Sequence, residues 1–241
     1  MMNEYNLELL ISACEKYNVT LTEKQVQQFI TYYEMLIEKN KVMNLTAITD
    51  YEDVVYKHFV DSISIVKYFD FKNCNNIIDI GTGAGFPGIP LKIVLPEVKI
   101  CLMDSLNKRI NFLNEVITQL KLEKVSAIHG RAEDLGRNKD YREKFDLCVS
   151  RAVANLSTLT EYCIPFLKKD GIFISYKSGN IEEEIKNSKN ALEMLNCTLE
   201  SIEKFNIEGT DYNRSLVIIK KIGKTAPQYP RKSGTPAKKP L

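Results

Sequence analysis

The stretch NIIDIGTGAGFPGIP, Asn76–Pro90, decides the fold. Ile77–Ile80 is a short run with apolar residues on both faces, as in a strand buried inside a parallel sheet. It stops at Gly81, Gly83 and Gly85, and GIPLKIVL (Gly88–Leu95) then has helical character. Glycine permits positive φ and lets a backbone approach a ligand closely. A strand, a bare turn and a helix in that order form the opening of a nucleotide-type site.

Working outward, the alternation repeats. VKICLMD (Val98–Asp104) reads as a second strand and NKRINFLNEVITQLKL (Asn107–Leu122) as a helix. VSAIHG (Val125–Gly130) and FDLCVSRAV (Phe145–Val153) are strands three and four, LSTLTEYCIPFL (Leu156–Leu167) is a helix, and GIFISYKS (Gly171–Ser178) is a fifth strand. After another helix, Ile181–Asn196, the runs Leu199–Ile207 and Ser215–Ile222 are expected to form a terminal antiparallel pair. Such alternation predicts an α/β fold, a doubly wound, mostly parallel, Rossmann-like sheet with helices on both faces. The N-terminal part differs. Leu7, Leu10, Ile11 and Cys14, then Val26, Phe29, Ile30, Tyr33, Leu36 and Ile37, recur at helical spacing. Thr20 or Thr22 is expected to cap the second run, and Thr49 or Asp50 a third. The division is thus a helical region, 1–72, a Rossmann-like domain, 73–222, and a basic tail, 223–241.

Ligands of such sheets sit at the carboxyl ends of the strands. Asp104 ends strand two, where a carboxylate can accept both hydroxyls of a ribose. A dinucleotide site prefers G-x-G-x-x-G, but the position for its third glycine holds Phe86, and the spacing here is G-x-G-x-G. That spacing favours S-adenosyl-L-methionine over NAD, because the methionine portion needs only a close, bare backbone. Asp79 is expected either to receive the cofactor's ammonium or to orient the glycine loop. Ala132 and Glu133, after strand three, are placed to meet the adenine, with Asp134 as the rival acid.

The acceptor is read from strand four. No Asn/Asp-Pro-Pro-aromatic turn follows it, only VSRAVAN (Val149–Asn155), and no Pro-Cys occurs. Amino-group and carbon-5 methylation of bases are therefore disfavoured. N7 of guanine has a lone pair and no proton to lose, so it needs alignment and no base. The six cysteines are scattered without a Cys-x-x-Cys pair and read as reduced, buried thiols. With His58 and His129 the only histidines, no metal site is expected.

Net charge is +2, but residues 221–241 carry six cations and no acid, and the other 220 residues carry 27 basic and 31 acidic side chains, or −4. A basic tail on a mildly acidic body suits a polyanionic partner. No apolar run approaches a membrane span, and the acidic start is unlike a secretory signal. A cytoplasmic monomer with no membrane partner is the expectation.

The motifs NLTAI (Asn44–Ile48), HFVDS (His58–Ser62), DIGTGAGFPGIPL (Asp79–Leu91), SLNKRINFL (Ser105–Leu113), GRAE (Gly130–Glu133), SRAVA (Ser150–Ala154) and PRKSGTPAKKPL (Pro230–Leu241) together resemble the RsmG (GidB) family. The resemblance implies a class I methyltransferase that uses S-adenosyl-L-methionine to methylate N7 of guanine 527 in bacterial 16S rRNA, with the small ribosomal subunit as partner. It implies cofactor contacts at Gly81, Phe86, Ala132, Glu133 and Arg151. Beside these stand Asp79, Gly83, Gly85 and Asp104. Arg151, Lys177, Asn44 and His58 are the candidates for positioning the acceptor. Arg231, Lys232, Lys238, Lys239 and Lys177 are the expected RNA contacts, with Arg131 and Arg137 read as plain surface charge. A methyltransferase acting on another RNA, a small molecule or a protein is the alternative.

Overall fold

A computed structural model describes residues 5–179 and 181–241. Seven strands form one sheet: β1 (Asn76–Ile80), β2 (Lys99–Asp104), β3 (Val125–His129), β4 (Phe145–Arg151), β5 (Leu167–Ser178), β6 (Cys197–Asn206) and β7 (Asn213–Lys221). Their order is β3-β2-β1-β4-β5-β7-β6. β7 alone runs antiparallel, inserted between β5 and β6. The expected terminal antiparallel pair is therefore present. The order reverses between β1 and β4, and this switch point opens a crevice at the strands' carboxyl ends.

Side chains along a strand alternate between faces. Ile77, Ile100, Leu102, Leu147, Val149, Ile174 and Ile218 point into one core, shared with Phe29, Leu36 and Phe59 of the N-terminal region and with Ile110, Leu113 and Val116. Their alternates Ile78, Ile80, Met103, Cys148, Phe173, Val217 and Ile219 build the opposite core with Leu156, Leu159 and Leu192. Helices α5 (Gly88–Val94) and α6 (Asn107–Gln119) thus cover one face, and α8 (Leu156–Cys163) and α9 (Glu182–Met194) the other. The short α7 (Ala132–Leu135) follows β3.

The N-terminal region comprises α1 (Leu7–Glu15) and α2 (Glu23–Met43). Of the two expected caps, Thr22 starts α2, in a capping box with Gln25. Asp50 caps the next segment by accepting from Asp53 N. That segment is not one regular helix. It runs through α3 (Tyr51–Val54), a π-helical stretch Val55–Val60, α4 (Asp61–Ile63) and a 3-10 turn, Ser64–Lys67. π-Helical turns widen the backbone and leave carbonyls available, and His58 lies inside this one.

The C-terminal segment is not a loose tail. It folds back over α7 and α8, ending in α10 (Thr235–Lys238), with Tyr229 and Pro236 buried. Lys221, counted among the tail cations, has a fully buried side chain. Its ammonium pairs with Glu143 at 2.8 Å and donates to Leu167 O. Arg137, expected as plain surface charge, is exposed, and it also donates to Gln228 O at 2.9 Å. Charge counting along a sequence cannot separate cations that close tertiary contacts from cations left in solvent.

At the start of α5, a Cβ on Gly88 would lie 2.2 Å from Leu102 Cδ2 and 2.8 Å from Asp79 Oδ2. Overpacking of this kind costs about 1–3 kcal/mol. Gly88→Ala should lower stability by that amount, read as a lower denaturant midpoint, and an unchanged midpoint would mean that helix and strand are not in contact there.

Candidate active site

Two cavities open at the strands' carboxyl ends, and both include Ala152 in their walls. The larger, about 490 Å³, is bounded by Gly81 after β1, Asp104 ending β2, Ala132 and Glu133 after β3, Val153 after β4, and Gly234 from the C-terminal segment. Gly81 has φ +72, and a Cβ there would stand 2.5 Å from Val153 Cγ2. Only a bare backbone passes at that point.

Asp104 is a loaded carboxylate. It accepts from Gly83 N at 3.0 Å, from Leu106 N at 2.9 Å and from the Arg109 guanidinium at 3.1 Å. A carboxylate offers about four lone-pair sites, and the fourth meets only a long 3.5 Å contact from the same Arg109 nitrogen, so capacity for a ligand hydroxyl remains. Glu133, also buried, accepts from Gly234 N at 2.8 Å, and Asp134 from Ser233 Oγ at 2.9 Å. The bare glycine and the carboxylate with remaining acceptor capacity fit a ribose-bearing methionine derivative.

Asp79 does not line this cavity. It is fully buried, and its Oδ2 accepts from Thr82 Oγ1 at 2.6 Å and Gly88 N at 2.8 Å. Of its two expected roles, the contacts match orienting the glycine loop. Burial pushes its carboxyl up to about 7, against those two hydrogen bonds. Gly85 serves packing: a Cβ there would stand 2.6 Å from Ile89 and 2.8 Å from the Tyr32 hydroxyl.

The smaller cavity, about 290 Å³, is walled by Lys57, His58, Asp61, Arg151, Lys177 and Arg214, with Ile48 and Tyr176. Asp61 organises it. Its buried carboxylate accepts from Arg151 Nη1 at 2.7 Å and from Arg214 Nε at 2.8 Å. Arg151 also donates to the Lys57 and His58 carbonyls of the π-helical stretch and lies 5.0 Å over the Phe86 ring. Phe86 is in the core, stacked on His58 at 4.5 Å and near Tyr32 and Phe59, and lines neither cavity. It supports Arg151 from below. Lys177 donates to Ala154 O at 2.8 Å and to Glu184 at 2.5 Å. Asn44 is an exposed, left-handed cap of α2 and lines neither cavity.

The tautomer of His58 follows from its partners. Arg151 Nη2 can only donate, so Nδ1 at 3.3 Å accepts, and Nε2–H donates to Thr46 Oγ1 at 2.8 Å. Burial first, and then the Arg151 charge, lower its pKa to about 3.

Of the expected RNA contacts, Lys232, Lys238 and Lys239 are exposed, but Arg231 turns inward onto Glu161. Asp61, Arg214, Lys57, Arg109 and Gly234 escaped sequence reading. Asp61 lies in the HFVDS motif, so a signal existed. Arg214 had none, because only the antiparallel register pairs it with Ser178.

Residues 25–217 match the family model described as rRNA small subunit methyltransferase G, GidB. The chain belongs to this family. Relatives named ribosomal RNA small subunit methyltransferase G are 52% identical in Lachnoclostridium phytofermentans (96% of each chain), 52% in Acetivibrio thermocellus (97% of this chain, 96% of that one) and 50% in Desulforamulus reducens (all of both). Solved structures share the fold at low identity. TrmN from Thermus thermophilus matches with TM-score 0.52 and 12% identity over 70% of this chain and 53% of its own. A SAM-dependent O-methyltransferase from Thermotoga maritima matches with TM-score 0.51 and 17% identity over 79% and 72%. The chain is thus a methyltransferase of this family on a Rossmann-like sheet. Among its described residues no helix is long and apolar enough to cross a membrane.

His58 gives a pH test. The unfolded imidazole binds a proton below its ordinary value of 6.5, and the folded one only near 3. Stability from this group is complete above about pH 6.5 and falls as pH drops toward 3. The destabilisation caused by His58→Gln should therefore be about 2 kcal/mol smaller at pH 5 than at pH 7.5. A pH-independent difference would mean a solvated imidazole.

Proposed function

We propose that the chain transfers a methyl group from S-adenosyl-L-methionine to N7 of guanine 527 in 16S rRNA. The cofactor belongs to the larger cavity and the acceptor guanine to the smaller. The observation that carries this reading is that, among the described residues, the walls hold no group poised to take a proton. Asp61, Asp104 and Glu133 are each committed to cationic or backbone donors. His58 is held neutral with both ring nitrogens engaged. Guanine N7 is the base position that needs no such group.

No cysteine lines either cavity, and burial raises the thiols of Cys14, Cys74, Cys101, Cys148 and Cys197. This supports direct transfer without a covalent enzyme intermediate. When bound, S-adenosyl-L-methionine supplies an electrophilic methyl on a sulfonium. The chain's own work is alignment. Asp104 accepts from the ribose hydroxyls, Gly81 lets the ligand pass, and Ala132 and Glu133 bound the adenine side. Arg151 and Arg214, spaced by Asp61, and Lys57 and Lys177 offer charge to the incoming nucleotide and its phosphate. Near-attack geometry, ~3–3.5 Å between reacting atoms, is worth orders of magnitude in rate. Lys232, Lys238 and Lys239 add exposed charge for the surrounding RNA.

Labelled S-adenosyl-L-methionine offered to small-subunit particles lacking the modification should place label in 7-methylguanosine at one 16S site. Label in another nucleoside would overturn the acceptor assignment. Asp104→Asn should weaken binding of S-adenosylhomocysteine about tenfold or more, since a hydrogen bond to a charged acceptor contributes about 1.5–3 kcal/mol.

A further inference from the structure

The sequence assigns Arg231, Lys232, Lys238 and Lys239 of the C-terminal segment to RNA. The segment's contacts point elsewhere. Arg142 donates to Thr225 O at 2.9 Å and to Tyr229 O at 2.8 Å, fixing the start of the segment. Glu161 on α8 is fully buried and receives Arg231 three ways: the backbone N at 2.6 Å, Nε at 3.0 Å and Nη2 at 2.6 Å. The same Nη2 donates to Lys239 O at 2.7 Å, so Arg231 also gathers the far end of the segment. Thr158 Oγ1 donates to Pro236 O, and Ser157 Oγ to Leu241 O. Between these anchors Ser233 reaches Asp134, and Gly234 N reaches Glu133. Gly234 and Ala237 then form part of the wall of the larger cavity.

We propose that residues 229–241 are a strap that completes the cofactor cavity, and that Arg231 is its latch and a positioning residue for the cofactor. This rests on the assignment of the larger cavity to S-adenosyl-L-methionine. The physical chain has two links. Removing the guanidinium strands a buried Glu161 carboxylate, which is strongly unfavourable, so the strap lifts. Lifting withdraws Gly234 N–H from Glu133 and opens one side of the cavity, so the carboxylate loses its orientation. The strap and the cofactor therefore favour each other's binding by the same factor. Arg231 acts on the cofactor, through Glu161 and Gly234, and not on RNA.

The test measures S-adenosylhomocysteine binding by calorimetry for the wild-type chain, Arg231→Ala, Arg231→Lys and Gly234→Ala, with rRNA binding measured in parallel. Gly234→Ala guards against a folding defect. Its Cβ would meet nothing within 4 Å, but φ is +82, so the substitution strains the strap alone. Arg231→Ala should raise the Kd about tenfold, within the usual range of coupling between sites. Arg231→Lys, which keeps charge without the fork, should fall between. Gly234→Ala should weaken binding in the same direction, and rRNA affinity should change less than cofactor affinity in every variant. Unchanged cofactor affinity in the variants, with rRNA binding reduced, would overturn the proposal and return Arg231 to the RNA. A wild-type chain that does not bind S-adenosylhomocysteine would overturn the cofactor assignment and this inference with it.

Discussion

The carboxylate of Asp79 is the constraint on which the site depends. It sits in the middle of the sheet, fully buried, with one oxygen tied to Thr82 and to the first amide of α5. Its other oxygen has no hydrogen-bond partner among the described residues. A buried, half-satisfied carboxylate is costly. What it secures is the turn from β1 into α5, with Gly81, Gly83 and Gly85 all at positive φ. Gly83 N then reaches Asp104 at the next strand end. One acid shapes the loop, and the loop helps orient the acid that lines the larger cavity.

Two more buried carboxylates attach peripheral elements to this frame. Asp61 joins the N-terminal helices to β4 through Arg151 and to β7 through Arg214. Glu161 joins the C-terminal segment to α8 through Arg231. In each case a short acid on a helix grips arginines distant in sequence, with the planar fork suited to that purpose. Breaking such pairs leaves a buried charge, so they specify position strongly whatever their net contribution to stability. They set the walls of the two cavities that the sheet alone leaves open.

The alternation of apolar runs, the glycine turn and Asp104 lie close together in sequence and obey local periodicities, so the sheet and the larger cavity's floor were legible. Gly81, Asp104, Ala132 and Glu133 converge as their places at strand ends imply. Phe86 shows the limit. Its neighbours mark it as part of the glycine turn, but whether a ring faces ligand or core depends on which elements pack behind it. Tyr32, His58 and Phe59 arrive from the N-terminal helices and take it into the core. Arg231 shows the same limit for charge. A guanidinium in a Pro- and Lys-rich segment reads as solvated until a buried Glu161 is found opposite.

By itself the sequence determined the strand–helix succession, the bare turn, the acid at the end of β2 and the family. These follow from residue types at short, regular spacing. Only the tertiary structure decided that Asp61 spaces two arginines in a second cavity, that His58 is held neutral, and that the basic C-terminal segment folds back onto the larger cavity. Each of these depends on partners scores of positions away. Burial and the burden of an unpaired charge, not local pattern, select them.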